Sequence, residues 1–165
     1  MMASPRTDPS TSHSREALLA SLSAHCVIDA RDGLDGNVPP MMSAFVTRER
    51  ECIASFRPTT PGLVVVIEGN KQVAWGGERK TCVAGDALFL PAGAVLDVVN
   101  DPDPATGIYR ALYLQFSRAM MIEAARRWPE FAAREPGHAI ATVPLDDTLS
   151  SALTHVAEGL HRCSD

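Results

Sequence analysis

The sequence predicts a mainly β protein, a barrel of short strands with one short helix before it and two helices after it. Two observations carry this reading. Between about residues 41 and 117, apolar and β-branched runs of four to nine residues alternate with turn chemistry, the pattern of a sandwich or barrel. After Ser117 the apolar spacing changes to a helical period.

At 165 residues, with 45% hydrophobic and 21% charged side chains, the chain suffices for one domain with a real core. Residues 1–13 are rich in Ser, Thr and Pro; they bury too little apolar surface to offset their ordering entropy, so disorder is expected there. Ser14 suits an N-cap, and residues 15–24 carry Leu18, Leu19 and Leu22 on one face of a short helix. A loop with Asp32-Gly33, Asp35-Gly36 and Pro39-Pro40 follows.

The expected strands are 43–47, 52–56, 62–68, 71–75, 78–83, 87–90, 95–99 and 108–116. The run Leu63-Val64-Val65-Val66-Ile67 suits a strand buried on both faces. Gly69-Asn70 is expected to turn it back into 71–75 as a hairpin, and Gly76-Gly77, Ala84-Gly85-Asp86 and Pro91-Ala92-Gly93 are the next turns. In the last strand, Tyr109, Ala111, Tyr113 and Gln115 share one face, while Arg110, Leu112, Leu114 and Phe116 share the other. Alternation alone leaves open which face lines the interior.

Ser117 can cap a helix bearing Met120, Met121, Ala124, Ala125 and Trp128, ended by Pro129. A last helix begins near Asp146 or Asp147, with Leu149, Leu153, Val156 and Leu160 in one stripe. That stripe suits either packing within the chain or a homodimer seam. The organisation expected is thus 1–13 disordered, 14–117 helix plus barrel, and 118–165 a helical pair for dimerisation.

Several function classes find no support. A net charge of −5 and a pI near 5.5 give no basic footprint for direct nucleic-acid binding. There is no bilayer-spanning apolar run and no signal-peptide centre, so a cytoplasmic protein with no membrane partner is expected. His13, His25, His138, His155 and His161 all lie outside the strand region, and Ala94 follows Pro91-Ala92-Gly93 where a metal-binding barrel would offer histidine; no metal and no cofactor are expected. Cys26, Cys52, Cys82 and Cys163 are scattered without a C-x-x-C pair. No nucleophile elbow or Walker loop is present, so no catalytic residue is assigned and no enzyme is expected. Polar anchors in an apolar pocket remain. The candidate ligand-binding residues are Phe45, Arg57, Val64, Val66, Trp75, Phe89, Arg110 and Tyr113.

Three pieces carry a resemblance: RPTTPGLVVVIEGNKQV at 57–73, AGDALFLPAG at 84–93 and YRALYL at 109–114. In this order they resemble the N-terminal domain of AraC-type transcriptional regulators, and the second also resembles cupin strands in general. The resemblance implies a cupin-type barrel, a double-stranded β-helix or jelly roll, that senses a small-molecule effector and carries dimerising helices. It further implies a C-terminal double helix-turn-helix through which such proteins read DNA; these 165 residues carry no such unit, so either a fragment or a stand-alone sensory domain is expected. The alternatives are a metal-free cupin enzyme of the sugar epimerase or isomerase kind, with Glu49, Glu51 and Glu68 near strand ends, and a packed structural module with no ligand.

Overall fold

The computed structural model describes residues 42–127, 129 and 140–162, with residues 147 and 156–162 described by backbone alone. Eight strands run in order: β1 (Met42–Thr47), β2 (Glu51–Phe56), β3 (Gly62–Glu68), β4 (Asn70–Trp75), β5 (Glu78–Val83), β6 (Asp86–Leu90), β7 (Leu96–Asp101) and β8 (Tyr109–Gln115). Helix α1 (Arg118–Arg127), strand β9 (Ala141–Pro144) and helix α2 (Asp147–Arg162) follow. The disorder expected over 1–13, the helix over 15–24, the loop before residue 41, and Trp128 lie outside the described residues.

The strands form two antiparallel sheets, ordered β1-β8-β3-β6-β9 and β2-β7-β4-β5. From β1 to β8 every step except β4–β5 crosses from one sheet to the other, which is jelly-roll topology. Crossing at each step lets apolar alternation on both sheets point at one shared interior. Val64, Val66, Val73, Cys82, Leu88, Leu90, Leu96, Val98, Tyr109 and Ala111 form that core together with Ile140. The other face of β3, β6 and β8 is buried as well: Val65 and Ala87 are 1% and 0% exposed, and Leu112 and Leu114 3% and 5%. This is why β3 reads as a continuous apolar run.

The hairpin expected between β3 and β4 does not form. β3 pairs with β6 and β8, and β4 with β5 and β7, so Gly69 carries the chain between sheets. It stands at φ +78°, and a Cβ there would lie 2.4 Å from the Asp101 carbonyl oxygen and 3.1 Å from the Tyr109 ring. The adjacent hairpin is β4–β5, turned by Gly76 and Gly77, both at positive φ.

Strand β2 is irregular. Ser55 takes φ +55°, its N–H donates to Asp97 Oδ1 at 2.9 Å, and the register with β7 shifts between Ile53 and Phe56. The bulge lets Ile53 and Phe56, three apart, both pack against the core. Strand β9, paired with β6, was not anticipated; its four residues are all exposed and show no alternating burial.

Helix α1 begins on its expected cap, and α2 begins where expected, capped by Asp146. Met120 N–H donates to Ser117 Oγ at 3.2 Å, and Leu149 N–H donates to Asp146 Oδ1 at 2.8 Å. Helix α1 has no buried residue, and Met121 and Ile122 stay 40% and 52% exposed. The barrel and α1 fall in one compact unit ending at Pro144, and α2 belongs to another. No helix among the described residues is long and apolar enough to cross a membrane.

Gly69→Ala is expected to lower stability by at least about 1–3 kcal/mol, since it adds left-handed strain to a backbone clash. Urea unfolding checks this; an unchanged midpoint would show that the crossover tolerates a side chain.

Candidate ligand site inside the barrel

Register divides the expected ligand residues into two groups. Strand pairing puts Phe45 opposite Ala111, Val64 opposite Tyr113 and Val66 opposite Ala111, all on the inward face. Phe45, Trp75 and Tyr113 pack against the interior cluster that contains Val64 and Val66. The open question about β8 is thereby resolved: Tyr109, Ala111 and Tyr113 face inward.

Three candidates fall elsewhere. Arg110 pairs with Val46 and Glu68 on the opposite face. Phe89 alternates with the inward Leu88 and Leu90, and its ring stacks on Phe116 at 6.4 Å. Arg57 is exposed, one residue past the end of β2. In each case strand parity, invisible until the pairing is known, decides the face.

The inward face also holds a polar cluster that the sequence reading did not assign. Lys71 on β4 pairs with Asn100 on β7, which pairs with Glu51 on β2. Lys71, only 8% exposed, donates from Nζ to Asn100 Oδ1 at 2.6 Å. Asn100 Nδ2 in turn donates to Glu51 Oε2 at 2.9 Å. The Tyr109 hydroxyl lies 3.5 Å from Lys71 Nζ, and its ring centroid 5.6 Å away. Cys82 faces Lys71 from β5. Gly69 leaves the room that seats the Tyr109 ring beside this cluster.

Burial governs the ionisation here. Removal from water pushes the Lys71 ammonium down to about 8, against the opposing pull of Cys82 and Glu51. Burial pushes the Cys82 thiol up to about 12, assisted by Asp86 and opposed by Lys71. It also raises Tyr109, assisted by Cys82 and Glu51, so the phenol stays protonated. Tyr113 is raised by burial against a lowering hydrogen bond with Gln115.

The other end of the interior is apolar. Phe56, Trp75, Leu90, Leu96, Ala94 and Tyr113 belong to it. Tyr113 lies over Gly62, where a Cβ would come within 2.4 Å of its ring. Lys80 closes one side, donating from Nζ to the Ile140 carbonyl at 2.6 Å with the Trp75 ring centroid 5.8 Å away. The interior is therefore amphipathic, with one polar end and one aromatic end.

A sequence signal for the polar end existed. The chain has only two lysines, Lys71 and Lys80, and takes its remaining cations as arginine; both lysines occupy inward register positions. Among the described residues, no group of three or more His, Cys, Asp or Glu side chains converges.

In α2, Leu153 is 2% exposed within the single chain and Leu149 is half-buried. Leu153 thus has almost no surface left to give to a second copy. The side chains of Val156 and Leu160 lie outside the described residues.

The strands form a jelly-roll barrel, and the likeness to solved structures is one of fold. Among solved structures, the chain matches ToxT from Vibrio cholerae, an AraC-type regulator, with a TM-score of 0.58 at 5% identity, over 72% of this chain and 47% of ToxT. ToxT bound to (E)-4-(8-methylnaphthalen-1-yl)but-3-enoic acid matches with 0.58 at 5% identity, over 73% and 48%. ToxT from the same organism with an unsaturated fatty acid bound matches with 0.52 at 8% identity, over 75% and 47%. At these identities the likeness is one of fold, and the chain spans about half the length of ToxT. No family model and no curated protein matches the sequence.

The Lys71 shift has a measurable consequence. Its folded value lies below the unfolded one, so the unfolded chain binds more protons between about 8 and 10.5, and stability rises with pH there. Cys82 and Tyr109 are shifted the other way and reverse the trend above the ordinary thiol range. Stability should climb by about 1 kcal/mol from about pH 8 to 9, and Lys71→Met should remove the climb. Urea unfolding across that interval checks it; an equal slope in both proteins would assign the titration elsewhere.

Proposed function

We propose that this chain is the small-molecule-sensing domain of an AraC-type transcription regulator, and that it binds its effector without transforming it. The observation that carries the reading is the amphipathic interior. The Lys71–Asn100–Glu51 cluster stands at one end of a lining that is apolar elsewhere apart from Lys80, whose amine is bonded to the Ile140 carbonyl, an arrangement that suits a guest with an apolar body and one polar terminus. ToxT, which shares the fold, has been solved with two carboxylic acids of that shape.

Apolar contact supplies most of the affinity in this reading, at roughly 25 cal/mol per Å² buried, and the polar end sets orientation. Regulation follows if the guest binds one arrangement of the chain more tightly than another. DNA is reached through a helix-turn-helix domain outside this chain, and the remaining α2 stripe contributes to a homodimer. An epimerase-like enzyme would need an acid and a base on opposed sides of a substrate. Here Lys71, Glu51, Cys82 and Tyr109 gather at one end instead.

Thermal unfolding with straight-chain unsaturated compounds ending in a carboxylate, an alcohol or an aldehyde tests the proposal. At least one series should raise Tm in a saturable way, by the amount linkage requires for its affinity. A flat Tm across all three would remove the sensing reading.

A further inference from the structure

We infer that the Lys71 amine is a covalent capture point for a small aldehyde, held as an imine inside the barrel; this rests on reading the barrel as a small-molecule sensor.

The residue type is the first argument. Outside the two inward lysines the chain uses arginine for every cation. An arginine carries charge and recognises carboxylates at least as well, but its guanidinium stays protonated. What lysine adds at an inward position is an amine able to become neutral and nucleophilic. Lys80 is already committed, its Nζ bonded to the Ile140 carbonyl at 2.6 Å. Lys71 has one short hydrogen bond, to Asn100 Oδ1, and burial brings its ionisation near 8, so a useful fraction is neutral close to physiological pH.

The surroundings suit a carbonyl better than an anion. Glu51 is one hydrogen bond away through Asn100 and would repel a carboxylate drawn to Lys71. An aldehyde has no charge to repel. The Lys71 nitrogen attacks the carbonyl carbon, the C=O π pair moves to oxygen, and a carbinolamine forms. The C–O bond then breaks, and the oxygen leaves as water with the two hydrogens that left the amine. Tyr109, kept protonated and with its oxygen 3.5 Å from Nζ, can lend a proton to the departing oxygen and recover it from the nitrogen. The imine nitrogen then takes up one proton from solvent, and the resulting cation is held by Asn100 Oδ1, by the Glu51 carboxylate behind it and by the Tyr109 ring face. Water reverses the reaction, so the guest is returned unchanged.

The test is reductive trapping of the full chain with hexanal and cyanoborohydride near neutral pH, with adducts mapped by peptide mass spectrometry. Lys71 should be alkylated about tenfold faster or more than Lys80, and by the same margin over Lys71 in the urea-unfolded chain. Lys71→Arg, which keeps a cation in place, should lose the rapid adduct. Because that variant can fail to fold, the wild-type comparison of folded with unfolded rates stands as the deciding measurement. Labelling of Lys71 no faster than in the unfolded chain overturns the inference. If unsaturated compounds raise Tm while Lys71 stays unlabelled, the sensor reading survives and covalent capture falls. If Lys71 labels rapidly and no compound raises Tm, capture stands and the sensor reading falls.

Discussion

An ammonium group placed inside a barrel of apolar side chains must be compensated or neutralised. In this protein both happen at Lys71. Desolvating a cation costs several kcal/mol even after the protein relaxes. Asn100 returns part of that with a 2.6 Å hydrogen bond, and Glu51 returns more by accepting from Asn100. The remainder appears as a lowered ammonium pKa. The three residues sit side by side on β4, β7 and β2, the consecutive register of one sheet, so the cluster exists only if those strands pair in that order.

The same constraint polarises the interior. The chain enters β4 through Gly69, which has no side chain and leaves room for the Tyr109 ring; that ring brings its hydroxyl toward Lys71. Further along the same strands, Trp75, Phe56, Leu96 and Tyr113 complete an apolar end. The sensing role proposed above draws on this division, with the polar end for a guest's terminus and the apolar end for its body.

Much of the architecture was legible because it rests on local rules. The strands between residues 42 and 115 follow β-branched runs and turn residues, and Ser117 and Asp146 cap the helices that follow them. The errors share one origin, which is pairing. Gly69-Asn70 has the chemistry of a hairpin turn, but a turn motif does not say whether the next strand returns to the same sheet. Phe89 and Arg110 were grouped with inward residues although their parity, once the partners are known, sends them outward. β9 has four exposed residues and no alternation to read. Lys71 falls in an expected strand, but a lysine beside Gly-Asn is ordinarily solvated, so nothing local marks it as inward.

The sequence by itself determined the class of fold, the positions of nearly all strands in the barrel, both helix starts and the scarcity of lysine. These depend on neighbours within a few residues, where propensity, capping and period act. The tertiary structure alone decided which strand face turns inward and which distant polar residues meet. Lys71, Asn100 and Glu51 are separated by 20 to 49 positions in the chain, and only the order of strands within one sheet sets them at hydrogen-bond distance. An apolar interior then makes that meeting consequential, because a charge that would be ordinary in water becomes responsive once water is removed.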